Sequence, residues 1–261
     1  MSEKSYEDIR DLLASTELEE LRQGLEQVRR EISRVGSSEA RPLFEMVSAI
    51  FYIDPLDHPE LVPILDEAVS LVVGFGEWVI PMLVESLDAA GDLKAQMAIS
   101  HALGRIGADA IAPLMAEYQA SDDPNCRAFV LYAMGKIKSP QVAQAMPLAL
   151  QAAQSQDLEL RDTATRAIGK FVESIPPADL SPELRAALVE QLRSNQADAS
   201  AGIRAKAVRS LGKLGKYGYL DAAERHKLKA LCELILGVDE NFEWDRAYVV
   251  RKEAKEALEY T

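Results

Sequence analysis

Apolar positions along the middle of the chain recur three and four residues apart, and the pattern closes four times on nearly the same heptapeptide. HALGRIG spans 101–107, YAMGKIK 132–138, RAIGKFV 166–172 and RSLGKLG 209–215. Aligned on Gly104, Gly135, Gly169 and Gly212, the units are 31, 34 and 43 residues apart. One residue before the glycine stand Leu103, Met134, Ile168 and Leu211, and two before it Ala102, Ala133, Ala167 and Ser210. Five before it stand Ile99, Val130, Ala164 and Ala207, nine before it Ala95, Cys126, Leu160 and Ile203, and two after it Ile106, Ile137, Phe171 and Leu214. These offsets fall on one side of a 3.6-residue helix. Each unit is therefore expected to contain an amphipathic helix that stops near its glycine, where a left-handed cap is cheapest.

A second apolar register precedes these helices. WVIPMLVESL (78–87), AIAPLMAEYQ (110–119) and AQAMPLALQA (143–152) carry Pro81, Pro113 and Pro147 early, as a first helical turn tolerates. Each unit reads as helix A, turn, helix B, turn. Such a pair cannot bury its apolar face alone, and stacked pairs can. At the start of the chain Leu18, Leu21, Leu25, Val28, Ile32 and Val35 alternate in steps of three and four up to Gly36. Thr16 and Glu19 have the spacing of a capping box. This predicts capping helices over 1–36. A coiled-coil dimer seam through 16–35 is the alternative, short at two and a half heptads.

Composition narrows the function classes. Alanine and leucine are abundant and aromatics make up 6% of the 261 residues, which favours helix. The net charge of −13 argues against a general nucleic-acid or anionic-membrane binder. Charge is uneven: residues 51–100 hold nine acidic side chains and the single base Lys94, whereas 204–229 hold eight basic ones against Asp221 and Glu224. A column one residue after the glycine, Arg105, Lys136, Lys170 and Lys213, has the sign needed to read phosphates. Cations also simply favour helix C-termini. Cys126 and Cys232 are far apart and both fall on apolar faces, which points to buried, inert thiols and a reducing, cytoplasmic setting. The N-terminus has no signal-peptide core, and the most apolar stretch, 61–84, is broken by charges, glycines and Pro81. His58, His101 and His226 lack metal-ligand spacing, and no P-loop, dinucleotide fingerprint or G-x-S-x-G occurs. No catalytic residue, metal site or cofactor is expected.

Eight before the glycine stand Arg127, Arg161 and Arg204, with Gln96 in the first unit; Asp92, Asp123 and Asp157 lie four residues earlier still. The composite D-x-x-x-R-x-x-A-x-x-A-L-G-K-I resembles the HEAT-repeat family, most of all the short HEAT-like repeats of the phycobilisome-lyase type. The resemblance is good over 76–215, fair over 216–261 and loose over 37–75. It implies an all-α, right-handed solenoid of stacked antiparallel helix pairs: a cap (1–36), a degenerate repeat (37–75), repeats at 76–107, 108–139, 140–175 and 180–215, and a degenerate capping repeat (216–261). It also implies a ladder between neighbouring repeats built from Asp123, Arg127, Asp157, Arg161 and Arg204. Arg127 and Arg161, on the flank of helix B, are expected to bond acidic or carbonyl groups of adjacent turns, chiefly Asp123 and Asp157. The family places helix B on the concave side. Opposite its buried face, offsets −7, −4 and −3 offer Met97, His101, Leu131, Tyr132, Arg166 and Arg209 as a groove. Leu131 and Tyr132 would form the hydrophobic anchor and Arg166 and Arg209 the cationic stretch. The expected function is a non-catalytic interaction module for a protein or peptide segment, working as a monomer. A bilin lyase or lyase subunit is the alternative, and a nucleic-acid-binding repeat protein ranks below it.

Overall fold

The computed structural model describes residues 3–89, 91–238 and 243–261. Among them there are fourteen α-helices and no strand. They run α1 Glu3–Leu13, α2 Leu18–Val35, α3 Arg41–Ser48, α4 Val62–Val72, α5 Val79–Ala89, α6 Leu93–Ile106, α7 Ile111–Ala120, α8 Pro124–Met134, α9 Met146–Ala152, α10 Leu158–Phe171, α11 Pro182–Asn195, α12 Ala201–Lys216, α13 Ala222–Leu236 and α14 Tyr248–Ala257. Odd-numbered helices are the first members of helix pairs and even-numbered ones the second. Pro81, Pro113 and Pro147 all fall in the first turn of their helices. No helix among the described residues is long and apolar enough to cross a membrane.

The chain divides into two compact units, residues 1–117 and 118–261. In the first, α2 packs on α1 and α4, and α4 on α6. Leu21, Leu25 and Val28 are fully buried there, so they are not available as a seam to a second copy of the chain. Phe44, Phe75 and Trp78 form an edge-to-face cluster with ring centroids 5.7–6.0 Å apart. Thr16 and Glu19 do not form the expected capping box: α2 starts from Glu17, whose N–H is bound by Ser15 Oγ, and Ser15 Oγ in turn donates to Glu20. The serine, one residue earlier, takes the turn.

In the second unit α8, α10, α12 and α14 stack in closest succession, while α9 and α11 touch less and form the looser layer. The repeated glycines explain the tightness, and they correct the sequence expectation. None of Gly135, Gly169 and Gly212 is a left-handed cap; Gly169 and Gly212 lie inside their helices, and Gly135 ends α8 in right-handed geometry. A Cβ on Gly169 would come within 2.9 Å of Ser210 Cβ and 3.1 Å of its Cα, and one on Gly212 within 2.9 Å of Ala257 Cβ. The glycine is thus a contact face against the next second helix, which answers with a small residue. In α6 the left-handed stop falls on Gly107 instead, with φ +91°.

Candidate protein-binding face

A second helix in such a stack is covered on two sides, by the first-helix layer and by the following second helix. This double burial overturns part of the expected groove. Offset −4 lies one turn before the glycine, and Ser100, Leu131, Thr165 and Val208 are all 0% exposed there; in the second unit this is the seam between second helices. Leu131 is therefore core and cannot anchor a ligand by itself. Ala128 and Ala205, at −7, are buried as well. What remains open is the ridge through −3 and +1. Met97 and His101 lie exposed on that ridge of α6 in the first unit. In the second unit the ridge carries Tyr132 and Lys136 on α8 and just after it, Arg166 and Lys170 on α10, and Arg209 and Lys213 on α12.

Tyr132 and Arg166 are brought together. The Lys136 ammonium stands 4.6 Å from the Tyr132 ring centroid and the Arg166 guanidinium carbon 5.3 Å from it, both within cation–π range. A shallow pocket between α8 and α10 opens beside the ring, floored by Leu131, Gly135 and Ala167 and edged by Lys136, Arg166 and Lys170. Arg209 is farther along the row and is engaged by Glu253, whose carboxylate is buried and receives two guanidinium hydrogen bonds.

Glu173, which the sequence did not single out, organises the cationic row. It accepts from Lys138 at 2.9 Å, Lys170 at 3.0 Å and Lys213 at 2.7 Å. Burial alone would raise its carboxyl, but the bonds from Lys213, Lys138 and Lys170 outweigh burial and hold it at about 2. Burial also pushes the Lys213 ammonium down, against the upward pull of Glu173. The cluster keeps more positive than negative charge on this face of a chain of net charge −13. Its only sequence signal was the recurrence of lysine one residue after the glycine.

The arginine ladder differs from the expected one. Asp123 and Asp157 are N-caps of α8 and α10, accepting from the N–H groups of Asn125 and Cys126 and of Leu160, so their oxygens are spent on helix starts. Arg127 donates to the Tyr118 carbonyl and lies over the Tyr118 ring. Arg161 reaches forward to Asp198 at 2.9 Å, and Arg204 to Asp245 through two bonds of 2.8 and 3.0 Å. Each of these two also donates to carbonyls of its own turn. The receiving carboxylate sits six residues before the next arginine. Where that place is serine, as at Ser121 and Ser155, its hydroxyl accepts from the N–H two residues on, and aspartate caps the helix at the following position. Where it is aspartate, as at Asp198 and Asp245, the carboxylate accepts that same N–H and the arginine of the preceding repeat. Arg161 and Arg204 thus bridge to the next repeat, whereas Arg127 stays within its own helix pair.

Nothing in the described residues groups three metal-capable side chains. Both cysteines are buried, and burial raises Cys232 to about 12, far from a reactive thiolate.

No protein-family model matches the chain, and no curated protein does. Solved structures do. The chain is similar to one from the complex of CpcE and CpcF of phycocyanin lyase from Nostoc sp. PCC7120, with TM-score 0.54 and 20% identity over 69% of this chain and 97% of that one. It is similar to an engineered protein, with TM-score 0.53 and 18% identity over 98% of this chain and 96% of the other. It is also similar to a chain in the structure of Kap95p with RanGDP, with TM-score 0.61 and 14% identity over 95% of this chain and 34% of that one. At these identities the likeness is one of fold. Fold and repeat register agree: the chain has the fold of an α-solenoid of helix pairs, like these HEAT-type structures.

Proposed function

We propose that the protein is a non-catalytic interaction module that holds an acidic segment of another protein on the open ridge of α8, α10 and α12. The observation that carries this reading is Tyr132 flanked by Lys136 and Arg166 beside a shallow apolar-floored pocket, in a protein that is otherwise strongly acidic. Tyrosine and arginine are the side chains on which binding energy concentrates at interfaces. Arg209 extends the cationic stretch, and Met97 and His101 offer a second open ridge on the first unit. Two widely spaced, buried cysteines suit a reducing compartment such as the cytoplasm. Partner capture from the native host tests the proposal. Replacing both Lys136 and Arg166 by Glu is expected to weaken capture by more than about tenfold, with circular dichroism unchanged. Capture that survives the double change, with crosslinks only to the first helices of the pairs, would overturn it.

The likeness to the phycocyanin lyase complex supports a lyase subunit as a second reading. Visible absorption after purification with a bilin checks it: a bound or transferred chromophore would favour the lyase over the passive module.

A further inference from the structure

The row of residues that carries the open ridge changes chemistry along each second helix, with Ala128 and Ala205 buried in its middle. Positions −11, −7, −3 and +1 are four residues apart and share one ridge. On α10 this ridge reads Leu158, Asp162, Arg166, Lys170, and on α12 Ala201, Ala205, Arg209, Lys213. From α8 into the turn that follows it reads Pro124, Ala128, Tyr132, Lys136. Leu158 is 49% exposed although it is apolar and lies in the first turn of α10. Asp162 is the one carboxylate on these ridges, and it is tied to Lys206 of the next helix. Each helix therefore offers an apolar start and a cationic end. Stacked side by side, the helices make two parallel lanes across the second unit: Pro124, Leu158 and Ala201 in one, and Tyr132 with Lys136 over its ring, Arg166 and Arg209 in the other.

The lanes have dimensions. From −11 to −3 is eight residues, about 12 Å along a helix, which is about the width of one α-helix with its side chains. Neighbouring packed helices are about 8–10 Å apart, close to the roughly 10.5 Å covered by seven residues of a helix crossing them. An extended strand has neither match, because its side chains alternate between faces every two residues. We infer that this face binds an acidic amphipathic α-helix laid across α8, α10 and α12. Its apolar stripe rests on Leu158 and its neighbours, and a carboxylate in each heptad meets Lys136, Arg166 or Arg209. The inference rests on the protein-binding reading above and adds the conformation and the register of the partner.

Two synthetic peptides of about 21 residues and identical Ala, Leu and Glu composition test it against the full-length chain. In the first, Leu and Glu each recur every seventh residue on adjacent flanks. In the second, the same residues are shuffled so that no stripe survives. Fluorescence anisotropy at about 0.15 M salt is expected to give the striped peptide at least about tenfold tighter binding, with helicity gained on binding. Arg166→Glu is expected to weaken the striped peptide by about tenfold or more, and Leu158→Ser to bring it down to the level of its isomer. Both side chains lie outside the core, and an unchanged melting temperature verifies the fold of each variant. Equal, salt-labile binding of the two isomers would remove the helix and its register while leaving an acidic partner standing. Absence of binding by either peptide would take down both readings.

Discussion

At the residue scale the second unit is governed by where carboxylates are spent. Asp123 and Asp157 cap helices, whereas Asp198 and Asp245 receive arginines from the preceding repeat. The sequence displays all four, but the swap between capping and bridging is set by whether serine or aspartate occupies the place six residues before the next arginine. A register built on the aspartate four residues before it therefore paired Arg161 with Asp157; the geometry gives Arg161 the Asp157 backbone carbonyl at 3.4 Å and the carboxylate of Asp198 at 2.9 Å. Glu173 was invisible for a different reason. Its three lysines come from 35 residues upstream, three residues upstream and 40 residues downstream, and no local pattern gathers them. Its carboxyl is held at about 2, below the ordinary 4.5, so the folded state binds its proton more weakly than the unfolded chain does. The stabilisation is full above about pH 4.5 and is lost as the pH falls toward 2. Glu173→Gln is expected to cost about 1–2 kcal/mol at pH 7 after solvent screening, and almost nothing near pH 2. Chemical denaturation of both forms at a series of pH values checks it; a penalty independent of pH would dissolve the triad as a source of stability.

At the element scale the helices were legible and their two covered faces were not equally so. The apolar offsets −9, −5, −2 and −1 mark the face toward the first-helix layer, and Leu103, Met134 and Ile168 are fully buried on it. The seam between successive second helices of the second unit is lined by Leu131, Thr165 and Val208, a mixture of polar and apolar side chains that carries no hydropathy signature. Leu131 was legible as apolar, but only the stacking reveals which neighbour covers it. The glycine was legible as invariant within the chain and misread as a stop, because a helix end and a close approach select the same residue. The close approach has a consequence. Gly169→Ala improves helix propensity by about 1 kcal/mol, yet its Cβ meets Ser210 at backbone as well as side-chain atoms. The expected net effect is destabilisation by about 1–3 kcal/mol, as for overpacking. Adding Ser210→Gly to that variant removes the Cβ and hydroxyl it strikes and should restore part of the loss. Equilibrium denaturation of the two single variants and the double variant measures the coupling, and purely additive effects would show that the two helices do not meet there.

At the scale of the whole molecule the chain consists of two units of stacked helix pairs, and in such stacks each pair is stabilised chiefly by its neighbours. The fold class was readable because the same helix pair is written several times over; the binding face was only partly readable, because openness depends on burial by distant segments. Tyr132 and Arg166 were recoverable as a polar or aromatic break in the repeat, and Arg209 as part of the basic run at 204–229, whereas the meeting of Tyr132 and Arg166 at one pocket was not. Nearest-neighbour stacking also fixes how damage spreads. Met134 is 0% exposed at the C-terminal end of α8, and α8 packs on α10, which packs on α12. Met134→Asp puts an unpaired carboxylate there, at a cost of about 3–5 kcal/mol. Hydrogen exchange followed by mass spectrometry is expected to show protection lost first in α8, α9 and α10, later in α12 and α14, and last in α2 and α4 of the first unit. Limited proteolysis should cut between 118 and 175 before either end of the chain is trimmed. Exchange that rises uniformly over both units, or digestion that advances from the termini while α8 to α10 persist, would mean that the chain unfolds as one cooperative body and that stability is not passed from pair to pair.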